Sequence, residues 1–183
     1  MLVMMGGPVA SGKSHIAAMF KELGATVVSR DAIRFSFLKK DEQYFAHERQ
    51  VEREFYRTIS HLLEDKDAFV VADATHINPA SRAKFFRRVK NWEEHKRIVV
   101  WVENYPKKAK EINAKRTGFA KVPESVIESQ YNARHSPFPY EGFDNVIFVS
   151  PMFYGKGVRL FNSMKNDDIR ELNLTNLAEA LKT

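Results

Sequence analysis

The sequence predicts an α/β fold, a five-stranded parallel sheet flanked by helices and carrying a helical lid. Three observations lead there. Five short apolar or β-rich runs alternate with helix-patterned stretches, the order that builds a doubly wound parallel sheet. A glycine-rich loop joins the first run to the first helix. Late in the chain, two helical stretches flank a basic break at Thr117-Gly118, the shape of a lid. All 183 residues read as one domain, with the lid over about 112–134 and a C-terminal extension over about 151–183.

The first run, Leu2 to Met5, leads into Gly7-Pro8-Val9-Ala10-Ser11-Gly12-Lys13-Ser14, and Ile16 to Leu23 reads as the helix that follows. This order of strand, G-x-x-x-x-G-K-[S/T] loop and helix is that of the phosphate loop of P-loop NTPases. A loop bent around phosphates needs inward-pointing backbone N–H groups, and glycine permits the turn and the close approach. Gly7, Ala10, Ser11, Gly12, Lys13, Ser14 and His15 are therefore the candidate nucleotide contacts. Lys13 would meet the β and γ phosphates, Ser14 offers a hydroxyl to Mg2+, and the helix N-terminus adds partial positive charge.

Ala25 to Val28 reads as the second strand, and Ser29-Arg30-Asp31-Ala32-Ile33-Arg34 passes from it into a helix at the carboxyl edge of the sheet, where ligands bind. Asp31 and Arg34 share one helix face. On spacing alone they could equally be a helix-start acid and its surface partner. Gln43 to Asp65 reads as a long amphipathic helix, with Tyr44, Val51, Phe55, Ile59 and Leu62 on its apolar face. Its charges read as a solvated face, with Arg49 pairing Glu52 and Glu54 pairing Arg57. His47 and His61 lack a second ligand at metal spacing.

Phe69 to Asp73 is a buried third strand that delivers a carboxylate to the same edge, with Thr75, His76 and Asn78 just beyond it. Pro79 opens a helix reaching Trp92, in which Arg82, Lys84, Arg87, Arg88 and Lys90 interleave with aromatic residues. Lys96 to Val102 is the fourth strand. Helices follow from Pro106 to Arg116 and from Val122 to Arg134, and Lys115, Arg116 and Lys121 flank the hinge between them. Asn145 to Val149 is the fifth strand, Met152 to Asp168 shows no clear period, and a last helix covers about Leu174 to Leu181. Residues after Ser150 are the expected place for adenine contacts.

Lys and Arg number 29 against 23 for Asp and Glu, giving a net charge of +6 and a pI near 9.5. That balance favours a polyanionic partner, although a nucleotide site itself accounts for several basic residues. With no cysteine, disulfides, thiolate metal sites and a cysteine nucleophile are excluded. No apolar run approaches the ~20 residues of a membrane span, and Met1 to Met5 is too short for a signal sequence, so a cytoplasmic protein is expected. Nothing in the sequence speaks to self-association.

Phosphoryl transfer needs in-line positioning, a metal across the phosphates, an acceptor for the hydroxyl proton, and arginine for the charge on the migrating group. Lys13 and Ser14, Asp31, and Arg116 are the respective candidates. The phosphate loop, the R-D-x-x-R segment Arg30 to Arg34, Asp73-Ala74-Thr75-His76-Ile77-Asn78-Pro79 with Arg82, and Asn113-Ala114-Lys115-Arg116 followed by Lys121-Val122-Pro123 together resemble the kinase domain of phage-type 5'-hydroxyl polynucleotide kinases. The resemblance covers about Leu2 to Arg134. It implies that Asp31 is the general base for a 5'-hydroxyl, that Arg34 supports the acceptor phosphate and the aspartate, and that Arg116 clamps the donor phosphates. It places Asp73, Thr75 and Arg82 on the acceptor side, with Asp73 alternatively holding a metal-bound water.

ATP and Mg2+ are the implied cofactors, and a nucleic acid with a 5'-hydroxyl end is the implied partner. The usual family loop reads G-x-P-G-S-G-K-S-T. Here Pro8 comes one place early, Val9 and Ala10 stand for Pro and Gly, and His15 stands for the last Thr. The D-x-D-G-T phosphatase signature of the family's second domain is absent. A small-molecule or other hydroxyl kinase remains open at this level, as does a nucleotide-binding module without catalysis.

Overall fold

The structure, a computed structural model, describes residues 1–150, 157–162, 165–171 and 174–182. Five strands lie parallel in the order β2-β3-β1-β4-β5: β1 (Leu2–Gly6), β2 (Thr26–Ser29), β3 (Val70–Asp73), β4 (Arg97–Val102) and β5 (Asn145–Ser150). The central strand β1 is buried throughout, which explains why it reads as a continuous apolar run rather than an alternating one.

The predicted five-stranded sheet is extended by two further strands. β6 (Gly157–Asn162) and β7 (Lys165–Glu171) add to β5 as an antiparallel hairpin, so part of the stretch without a period is ordered sheet. Of the residues after Ser150 expected to meet adenine, 151–156, 163–164, 172–173 and 183 lie outside the described residues.

Alternate residues of the sheet feed two cores. On one face Val3, Met5, Val71, Val100 and Val149 meet Ile16 and Phe20 of α1 (Lys13–Glu22) and Leu177 and Leu181 of α7 (Leu174–Lys182). On the other, Leu2, Met4, Val70 and Val99 meet Phe55 and Ile59 of α3 (Glu48–Leu62) and Phe85 of α4 (Pro79–Arg88). The period-2 alternation along β1 therefore decides which helix layer each residue packs against.

Two helices are shorter than their sequence pattern implies. The one expected over Gln43 to Asp65 begins only at Glu48, because 41–47 is a series of turns in which Asp41 takes φ 74°. The one expected to reach Trp92 ends at Arg88, before a left-handed Asn91 and a separate short 3-10 turn. α4 starts where Asn78 and Ser81 close a reciprocal capping box ahead of Pro79.

Arg82, assigned to the substrate side by sequence, is a correction. It is fully buried, its Nε and Nη2 grip Glu141 at 2.6 and 2.9 Å, and its Nη1 donates to the carbonyls of His76 and His135 at 3.0 Å. With its donors consumed by the protein it holds the β3–α4 loop against the 135–141 segment and has none to offer an acceptor. Breaking a buried pair of this kind costs about 3–5 kcal/mol, so Arg82→Ala is expected to lower stability by that much in denaturant unfolding.

Candidate active site

Of the remaining predicted site residues, all but Gly7 and Ser11, which lie within the loop, line one cleft at the carboxyl edge of the sheet. A cleft of about 340 Å³ is lined by Ala10, Gly12, Lys13, Ser14 and His15 on one side, by Asp31 and Arg34 across from them, and by Asp73, Thr75 and Arg116 between.

The loop is built by β1 ending under β4. Gly7 has φ 127°, and a Cβ there would lie 2.0 Å from the Val102 carbonyl oxygen, so no other residue fits. Its N–H donates to the Thr75 carbonyl at 2.8 Å, pinning the loop to the turn after β3. Gly12, at φ 107°, turns the chain into α1. Ser11 lies buried in the loop, and its Oγ has no hydrogen-bond partner among the described residues.

Lys13 folds back over the loop, its Nζ donating to the Pro8 carbonyl at 2.7 Å. Burial pulls its pKa down to about 8, partly opposed by Asp73 and Asp31 and reinforced by Arg116. Burial also pushes the Asp73 carboxyl up, while Lys13 pulls it back. Ser14 Oγ donates to Asp73 Oδ2 at 3.4 Å. A buried ammonium, a hydroxyl, a carboxylate and an orphaned serine hydroxyl in a positive-φ cradle suit a polyphosphate with a divalent cation. Mg2+ would be held by Ser14, with Asp73 on the water side.

The opposite wall comes from α2 (Arg30–Phe37), which starts at Ser29, whose Oγ accepts from the Ala32 N–H at 3.3 Å. One turn separates Asp31 from Arg34, and the two side chains pair directly. Arg34 is buried, and Glu48 at the start of α3 accepts its Nη2 and Nε at 2.9 and 3.3 Å. Tyr44 completes the group: its hydroxyl donates to Asp31 Oδ1 at 2.7 Å and accepts from Arg34 Nη1 at 2.9 Å, while the guanidinium lies 4.5 Å from the ring centroid. Burial first, then Asp31, pushes the phenol pKa up, so it stays a donor. Asp31 itself remains largely open to the cleft, with 62% of its side chain exposed.

The sequence reading misses Tyr44 and Glu48 as site residues. Tyr44 is placed there on the apolar face of a helix that in fact starts four residues later. The one available signal is the acid Glu48 at the true helix start, a position the helix dipole favours.

The segment expected to form the lid consists of α5 (Pro106–Ala114), a 3-10 turn at Gly118–Ala120, and α6 (Glu124–Ala133). Asn113 stitches the hinge by exchanging two hydrogen bonds with the Val122 backbone at 2.7 and 3.0 Å. Arg116 lies just past α5, donates to the Ala120 carbonyl at 3.3 Å and faces the cleft. Lys115 and Lys121, the other basic hinge residues, are exposed, and neither is among the cleft-lining residues. The base of the lid packs on the loop itself: Ala10, Ala109, Ile127 and Tyr131 form one buried cluster, and the Val9 N–H donates to Gln130 Oε1 at 2.8 Å. No group of three or more metal-ligating side chains occurs among the described residues, and no described helix is long and apolar enough to cross a membrane.

The profile of the AAA domain family AAA_33 matches residues 2–137. No curated protein matches the sequence. Among solved structures, a sugar kinase from Janibacter sp. HTCC2649 aligns with TM-score 0.58 and 15% identity, over 81% of this chain and 84% of that one. Kti12 from Chaetomium thermophilum, in complex with ADP-AlF3, gives TM-score 0.58 and 15% identity over 82% and 89%. A fungal RNA kinase gives TM-score 0.58 and 15% identity over 98% of this chain but 42% of that one. At such identities the likeness is one of fold, a P-loop kinase-like domain.

Proposed function

The chain belongs to the AAA domain family, and from that premise we propose that it is an ATP-dependent kinase, one that transfers the γ-phosphoryl group to the 5'-hydroxyl of a nucleic acid. The observation that carries the reading is the facing of two built walls across one cleft. Lys13 and Ser14 form a donor wall, and the Asp31-Arg34-Tyr44-Glu48 group forms an acceptor wall. A site that only bound nucleotide would have no use for the second wall.

In the proposed mechanism the loop amides, Lys13 and Ser14 hold the triphosphate. Mg2+, when bound, draws charge from the phosphate oxygens. Asp31 accepts the proton of the acceptor hydroxyl as its oxygen bonds to the γ phosphorus and the bond to the β-phosphate oxygen breaks, releasing ADP. Tyr44 occupies Oδ1 of Asp31 and leaves Oδ2 for the proton, while Glu48 fixes Arg34 so that its guanidinium steadies Asp31. Arg116 supplies positive charge to the migrating group. Residues 1–183 act as one domain in this reading. The RNA kinase among the structural neighbours bears on a nucleic-acid acceptor, and the sugar kinase on a small-molecule one.

The test offers γ-labelled ATP with a 5'-hydroxyl oligonucleotide and, separately, with a panel of sugars and small alcohols. Label on the oligonucleotide is expected. Label confined to a small alcohol would replace the acceptor while keeping the kinase.

The Lys13 pKa near 8 makes a second prediction. The ammonium form binds phosphate, so above about pH 8 binding ATP must take up a proton, and affinity should fall by up to about tenfold per pH unit. Below about pH 8 this group contributes no pH dependence. Calorimetric titration at pH 9 in buffers of differing ionisation enthalpy should register the uptake, and a pH-independent Kd from 7 to 9.5 would remove the assignment.

A further inference from the structure

Outside the cleft, a run of exposed basic charge lies along α3. Arg49, Arg53 and Arg57 recur at one-turn intervals and line a single groove, whose other wall carries Arg88 and Lys90 from the end of α4 and the segment after it. The sequence pattern pairs Arg49 with Glu52, but the structure does not. Glu52 is drawn to Lys84 and Arg30 at 2.5 and 3.6 Å. Glu54 takes Arg57. Arg49, Arg53, Arg88 and Lys90 are exposed and have no carboxylate partner among the described residues. Glu64, at the far end of the groove, engages His61.

The groove and the cleft are linked through shared lining residues. A shallow hollow over 45–50 shares Phe45 and Glu48 with the cleft and Arg49 with the groove. Phe45, 61% exposed, stands at that junction. Four helical residues advance about 6 Å, so the arginines of α3 form a ladder that a stretched polyanion can follow phosphate by phosphate away from Asp31. An exposed aromatic beside such a ladder provides a stacking platform for an unpaired base.

We propose that the groove between α3 and the end of α4 is a track for the backbone of a single-stranded nucleic acid whose 5' end lies at Asp31. The proposal rests on the kinase reading for its direction but not for its chemistry. Arg49, Arg53 and Arg88 bind successive phosphates, Phe45 stacks the base next to the reacting end, and the track reads no sequence. A strand of several nucleotides therefore binds more tightly than a dinucleotide, which reaches the cleft but not the track.

The experiment compares the wild type with Arg49→Ala/Arg53→Ala/Arg88→Ala, none of which lines the cleft. The first readout is fluorescence anisotropy with a labelled single-stranded 12-mer whose 5' end is already phosphorylated, so that no turnover is needed. The triple variant should bind it on the order of tenfold to a hundredfold more weakly, with the slope of log K against log salt shallower by about 2. The second is phosphorylation kinetics on a 5'-hydroxyl 12-mer and a dinucleotide. KM for the 12-mer should rise in the variant, while the dinucleotide parameters and kcat stay unchanged. Equal 12-mer binding and equal salt slopes in the two proteins would overturn the track. Track-dependent binding without any phosphorylation of the 5'-hydroxyl 12-mer would instead overturn the proposed acceptor and leave the track standing.

Discussion

Replacing Arg116 by alanine is expected to lower the rate of phosphoryl transfer by about 10³ to 10⁵, or roughly 4 to 7 kcal/mol, while ATP binding changes far less. The expectation follows from where the residue sits. Arg116 leaves α5 at the cleft-facing side of the hinge, and its guanidinium makes a single long hydrogen bond among the described residues, 3.3 Å to the Ala120 carbonyl. Its charge is near enough to Lys13 to help pull that pKa down. Two cations that repel one another are brought into balance when phosphates lie between them. The repulsion is relieved most where negative charge is greatest, on the migrating group. Single-turnover kinetics with saturating ATP measure the effect, and a kcat within about threefold of wild type would remove Arg116 from the reaction.

Asp31→Asn is expected to reduce kcat by about 10² to 10⁴, the usual contribution of a positioned general base, with Kd for ATP nearly unchanged. The amide is close in size and can still accept from Tyr44 and Arg34, so the wall should hold its shape while losing its proton acceptor. Because Asp31 is on α2 while Lys13 and Ser14 are on α1, the two walls fold from separate elements and can be impaired separately. A variant that turns over at the wild-type rate would show Asp31 to be a helix-start acid paired with Arg34 and nothing more.

The sheet and the donor wall were legible because each is written locally. Continuous apolar runs mark strands buried on both faces, and the loop carries its requirement at Gly7, Gly12 and Lys13 within a few residues. The β6–β7 hairpin was not legible. Lys165–Glu171 is almost wholly polar, which an edge strand tolerates because it need not bury both faces. Arg82 was misjudged because its partner Glu141 lies 59 residues on, and no local spacing announces a contact at that range. The acceptor wall was half read. Asp31 and Arg34 share a helix turn, but Tyr44 and Glu48 join them only because the chain turns between α2 and α3, a tertiary event that shifts the phase of a periodic pattern without erasing it.

Ala10 illustrates how one methyl changes the character of a binding loop. Where phosphate loops of this kind usually place a glycine, this chain keeps alanine at φ 59° and seats its side chain among Ala109, Ile127 and Tyr131 of the lid. The neighbouring Val9 amide is bound by Gln130 of the same lid. Lifting α6 would therefore uncover apolar surface and break a hydrogen bond at the loop in one motion. These contacts tie α6 to the loop as part of the fold, so ordering this segment is a cost met in folding rather than on ligand capture.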